Sequence, residues 1–230
     1  MLLGVNPYVA AVVTIFVVLA LYITISIVSG NRRLKLLEND CDPEAFMDEM
    51  EKLKEKTSGK NPKRIALFDI NIAAALIALG EFEEAKNVLL SIDESLLSRR
   101  NESLLAYTIN LIGCCYGLGD IENAEKLFET RIPVLSPVTK RMTAAVKMLI
   151  AVRFFRLGRF DESREHFEKL WKEKLSTKSR LEVLFHLARL DELEGNVDAA
   201  LKKYRKVAEK GNKLWIAVKA REKCEQLESR

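Results

Sequence analysis

Glycines at 80, 119, 158 and 195 each head the same short pattern, and this fourfold recurrence most constrains what the chain can fold into. The segments read GEFEEAKNVLLSI, GDIENAEKLFETR, GRFDESREHFEKL and GNVDAALKKYRKV. Five places after each glycine stands a small residue (Ala85, Ala124, Ser163, Ala200), and nine places after it a large one (Leu89, Phe128, Phe167, Tyr204). The glycines lie 39, 39 and 37 residues apart. A fixed period of this size marks stacked supersecondary units, each too small to bury its apolar face alone. A long apolar-periodic segment precedes each glycine and a shorter amphipathic one follows, so each unit reads helix, turn, helix.

The pattern assigns local roles. A glycine in the left-handed conformation ends the first helix. Asp120 and Asn196, directly after their glycines, are placed to cap the second helix. Asn61-Pro62 and Ser136-Pro137 put proline at a first helical position. The small residue lets the two helices approach closely, and the large one fills the gap between them. The stretch DPEAFMDEMEKLKEK from Asp42, with Phe46, Met50 and Leu53 on one side, is expected to cap the stack at its start. KLWIAVKAREKCEQL from Lys213, with Leu214, Val218, Cys224 and Leu227 inward, is expected to cap its end.

These residues resemble the tetratricopeptide repeat family. The likeness lies in Leu-Gly before the turn (Leu79-Gly80, Leu118-Gly119, Leu157-Gly158), then the small residue, then the large one, and it covers residues 61–211. The family period is about 34 residues, so each unit here has about one extra helical turn. Glu194 replaces the leucine in the fourth unit, and no unit carries the family's early tryptophan. The resemblance implies an all-α solenoid of about four helix-turn-helix repeats with capping helices. It also implies that the first helices line a concave groove holding a partner peptide or helix. By family geometry the groove positions are Leu67, Ile70, Ala74 and Ile77; then Ile109, Gly113 and Tyr116; then Met148, Val152 and Phe155; and in the last unit Phe185 and Arg189. Asn71 and Asn110 occupy the place from which asparagine ladders in the family bind a peptide backbone. The alternative is that the longer helices carry these positions into the core.

Composition is uneven along the chain. Residues 1–31 contain no charged side chain, and the run 8–29 is apolar on all faces. As a helix it would span about 33 Å, against about 30 Å of bilayer hydrocarbon. A signal peptide wants a basic start, a shorter core and a small-residue cleavage site, none of which is present. The sequence therefore predicts a single transmembrane helix in contact with lipid through residues 8–29. Arg32, Arg33 and Lys35 follow the run, so the solenoid is expected to be cytosolic with the N-terminus outside. A bacterial cell membrane is the favoured setting. The expected organisation is an anchor (1–31), a linker with cap helix (32–60), repeats (61–211) and a final cap (212–230).

Basic and acidic residues, 37 against 33, alternate along the rest of the chain, which reads as solvated helix faces and not as a nucleic-acid surface. The four cysteines have no paired spacing and are expected to be free thiols in a reducing compartment. Gly117 and Gly119 form a lone GxG; His166 and His186 fall in different repeats. No metal-binding or nucleophile motif accompanies them, so neither catalysis nor a cofactor is expected. The expected function is a membrane-tethered, non-catalytic scaffold that binds membrane-associated protein partners. The alternative is a self-assembling scaffold, a homo-oligomer whose groove is filled by its own chain or another copy. A weaker third reading places anionic lipid or nucleic acid on Arg99, Arg100, Lys140 and Arg141.

Overall fold

The computed structural model describes Phe16, residues 28–57, Gly59 and residues 61–229. The chain divides into two units, 1–35 and 36–230. In the first, Phe16 and residues 28–35 are helical. All regular structure among the described residues of the second is also helical. Its helices are α1 (Pro43–Thr57), α2 (Pro62–Leu79), α3 (Phe82–Leu90), α4 (Ser103–Leu118), α5 (Ile121–Arg131), α6 (Lys140–Arg156), α7 (Phe160–Trp171), α8 (Thr177–Leu193), α9 (Val197–Lys210) and α10 (Trp215–Glu228).

The expected single-pass membrane architecture is corrected here. Among the described residues no helix is long and apolar enough to cross a membrane. Most of the run 8–29 lies outside the described residues. The helical stretch that continues from its end, 28–38, carries Arg32, Arg33, Lys35 and Glu38, and so is not an apolar span. The arrangement with the N-terminus outside and the solenoid cytosolic at a bacterial membrane falls with the span, as does lipid contact through it.

The repeat pairs are α2–α3, α4–α5, α6–α7 and α8–α9, and each pair turns on one of the four glycines. Gly80, Gly119, Gly158 and Gly195 all have positive φ, between 74° and 90°. A residue with Cβ is strained there. The small residues five places on are all fully buried, as are Leu89, Phe167 and Tyr204 nine places on. Ser163 satisfies its hydroxyl by donating to the Ala151 carbonyl at 2.9 Å. Phe128 is the half-buried exception and stacks under the Arg153 guanidinium at 4.4 Å.

Helix starts follow local chemistry. Asn61 caps α2 by accepting from the Arg64 N–H at 3.1 Å, with Pro62 in the first turn. Asp120 accepts from the Asn123 N–H, whereas Asn196 makes no side-chain cap. Pro137 does not open a helix. The buried Glu102 carboxylate accepts from the Val138 and Thr139 N–H groups at 2.6 and 2.9 Å and pins that segment as a loop. Thr139 then caps α6.

A second register, six places after the glycine, stitches neighbouring repeats together. Lys86 pairs with Asp120 at 3.7 Å, Glu125 with Arg153 at 2.6 Å, and Arg164 with Asp191 at 3.0 Å. Each pair runs from the second helix of one unit to the next unit.

Most successive helices pack as neighbours, α1 on α2 and α10 on α9 at the ends, while α6 packs on α4 and α7. In addition, the last unit meets the first. Lys213 N–H donates to the Cys41 carbonyl at 3.3 Å, Asn212 Nδ2 to the Asp40 carbonyl at 3.0 Å, and Ser176 Oγ to Glu38 at 2.6 Å. Leu37, Phe46 and Met50 share one apolar core with Leu181, Leu184, Leu214 and Leu227. Val218, expected to point inward, is 46% exposed; Ile216, Ala217, Ala220 and Leu227 are the buried residues of α10.

Candidate functional site

The predicted groove residues lie along the first helices of the repeats, and none of them is exposed. Ile70, Tyr116, Phe155 and Phe185 are buried, and Leu67, Asn71, Ala74, Ile77, Ile109, Asn110, Gly113, Met148, Val152 and Arg189 are half-buried. Both asparagines bond the chain's own backbone. Asn71 donates to the Leu67 carbonyl at 2.8 Å within α2, and Asn110 donates across to the Ile70 carbonyl of the preceding repeat at 3.2 Å. The apolar candidates also find partners within the chain: Phe155, Met148 and Val152 belong to the α6–α7–α8 core, and Ile109 packs in the core around Leu105. The stripe is not filled throughout, because a Cβ added at Gly113 would meet nothing within 4 Å.

Two of the candidates, Phe185 and Arg189, line a recess of about 560 Å³ where the last unit abuts the first. Leu79, Gly80 and Phe82 come from the first turn, Gly117 and Arg156 from the ends of α4 and α6, and Tyr204 from α9. Trp215 and the following turns of α10 close the other side. Phe82 and Phe185 stand edge-on to the Trp215 ring, at 5.7 and 5.6 Å between centroids. Two glycines permit this. A Cβ on Gly80 would come within 2.9 Å of the Trp215 Cβ, and one on Gly117 would lie about 2.5 Å from the Phe82 ring. Sequence reasoning missed Arg156, Phe82 and Trp215 as site residues. The available signal was glycine at 117, two residues before the repeat pattern requires one.

The electrostatics of the recess are lopsided. Glu222 is matched by Lys219 at 2.8 Å, and Lys223 is matched by Glu192 at 2.7 Å. The Tyr204 hydroxyl donates to the same Glu192 at 2.8 Å; burial first, and then this bond, raises the phenol's pKa. Arg156 makes no hydrogen bond or ion pair to any described residue, and its buried Nε is unpartnered. Arg189 makes a cation–π contact with Phe155, at 4.2 Å. Burial lowers the pKa of both guanidiniums, and Arg156 lowers that of Arg189 further by repulsion, while the nearby Tyr204 and Glu192 act to raise it.

Beside them lies His186, buried and stacked flat on Phe167 at 4.8 Å, with Nδ1 unpartnered. Desolvation first, then Arg189 and Arg156, push it down to about 3, so it is neutral in the folded chain. His166 instead stacks on Phe154 at 5.1 Å, half-buried. The cysteines are free; burial raises Cys41 to about 11 and Cys114 to about 12. Arg99, Arg100, Lys140 and Arg141 are exposed.

No family model matches the sequence, and neither curated proteins nor solved structures give a match.

Proposed function

We propose that the chain is a non-catalytic protein–protein interaction scaffold of tetratricopeptide type, which meets its partner along the edge where the helix-turn junctions line up. One observation carries this reading: exposed apolar residues recur at those junctions, although the fourth unit offers Leu193, one place before the register position held by Glu194. Leu118, Leu157 and Leu193, at the ends of the first helices, are 40%, 37% and 59% exposed. Phe160 and Val197, each two places after its glycine, are exposed beside them. Stacked helices lie about 8–10 Å apart, so equivalent positions in successive repeats form a ridge and not scattered points. A contiguous apolar ridge rimmed by charge is the usual mark of a protein contact.

The test is photo-crosslinking in cells from a probe at Leu193, with a matched probe at Glu168 on the exposed side of α7. A discrete heterologous band from Leu193 alone, lost on Leu157→Asp, is the expected result. A band at twice the chain's own mass would assign the ridge to self-assembly. Equal products from both probes would remove the reading.

A further inference from the structure

We propose that the recess between the first and last units is a binding site for a small organic oxyanion, an apolar body carrying one carboxylate, sulfonate or phosphate group. It adjoins the exposed ridge, since Gly117 and Arg156 are chain neighbours of Leu118 and Leu157, but it does not depend on the scaffold reading.

The argument rests on charge that the fold leaves unanswered. Arg156 and Arg189 reach the recess from different helices, both without an ion pair, and the Arg156 Nε is buried with no acceptor. A buried polar donor without a partner is costly, and a buried charge more so. Two such cations facing one cavity add mutual repulsion. The carbonyl end of α6 offsets part of the Arg156 charge, by about half a unit, but no carboxylate completes the offset. The acidic groups at the recess are already engaged by Lys219 and Lys223. Two other half-buried arginines are answered by carboxylates: Arg153 has Glu125, and Arg164 has Asp191.

The shape names the rest of the ligand. The apolar lining of the recess includes Phe82, Phe185, Trp215 and Val218. A volume of about 560 Å³ sits inside the range of about 300–1,000 Å³ typical of small-molecule sites. Lining residues come from the first turn and from α4, α6, α8, α9 and α10, so several elements contribute to one half-open recess. Guanidinium presents paired N–H donors that match carboxylate, sulfonate and phosphate oxygens. An oxyanion between the two arginines, with its apolar body against the rings, satisfies both features at once.

The test uses the full chain and anilinonaphthalene sulfonate, an aromatic body with one anionic group, with uncharged phenylnaphthylamine as its matched control. Saturable binding of one sulfonate probe per chain is expected, with displacement by inorganic phosphate. Arg156→Gln and Arg189→Gln should each weaken it about tenfold or more, while binding of the uncharged control stays unchanged. Val218→Trp, which fills the recess from an exposed position, should abolish sulfonate binding without touching either arginine. Equal affinity for the two probes, or binding that survives Val218→Trp, overturns the proposal. Should the arginine variants fail to fold, the probe comparison and phosphate displacement in the unaltered chain decide it: binding without displacement overturns it.

Discussion

Mild acid should weaken this fold through one histidine. His186 has a pKa pushed down to about 3 in the folded chain, against an ordinary 6.5. The sign follows from which state takes up the proton. Below about 6.5 the unfolded chain binds a proton on this imidazole that the folded chain refuses. Stability is therefore full above that pH and is lost progressively as pH falls toward about 3. Between about pH 6 and pH 5 the two binding curves differ by about 1.2 kcal/mol, rising to about 1.4 kcal/mol per unit further down. The cause is structural: Phe167 covers one face of the ring, Phe155 and Phe185 stand edge-on, and the charges near it are the cations Arg189 and Arg156. Urea unfolding at the two pH values, for the unaltered chain and for His186→Phe, measures the effect. Carboxylates contribute to both proteins and cancel in the difference. An identical pH dependence in the two would refute the argument, since it would mean that His186 is protonated in the folded state or reached by water.

Two glycines on the same helix should respond oppositely to alanine. Gly113→Ala meets open space and should stabilise α4 by about 0.5–1 kcal/mol, whereas Gly117→Ala drives a methyl into the Phe82 ring and should cost about 1–3 kcal/mol. Thermal melts check both, and equal shifts would refute the packing account. Glu125 accepts hydrogen bonds from Arg153 and from the Tyr116 hydroxyl, which outweigh burial and hold its pKa below the usual carboxylate range. Glu125→Gln should therefore cost about 1.5–3 kcal/mol at neutral pH, read by urea titration; a cost below half that would mean the bonds are not made. Native alkylation at mildly alkaline pH should modify half-buried Cys224 first and leave Cys41, Cys114 and Cys115 unreacted until the chain unfolds. Mass mapping that finds Cys114 modified in the native chain would contradict its burial.

The repeat was legible in the sequence because each of its signals is local. A glycine that ends a helix, a small residue five places on and a large one nine places on are fixed by the contact between two adjacent helices. The same logic could not show the last unit meeting the first. Trp215 and Gly80 are separated by most of the repeat array, and nothing in either segment names the other. For the same reason the inward face of α10 is only partly legible: Leu214 and Leu227 are buried and Cys224 packs against the core as expected, but Ala217 and Ala220 face inward where the sequence suggests Val218. Pro137 was misread because its backbone is governed by Glu102, in the preceding repeat. Groove positions carried over from a shorter repeat fell on residues that pack against neighbouring helices. Phe185 and Arg189 reach the recess, but Arg156 and Phe82, which complete it, sit at helix ends where periodicity carries no information.

The meeting of the last unit with the first has a consequence for how such a chain can change length. An open stack can gain or lose a unit at either end, since each unit answers only to its neighbours. Here Trp215 must reach the Gly80 turn, and the 212–213 loop must reach the backbone at 40–41. Removing one whole unit would leave those surfaces facing nothing, and adding one would drive them apart. Unit number is thus locked by geometry, and tolerated insertions should fall in exposed connecting loops, such as 99–101, where length does not alter the count.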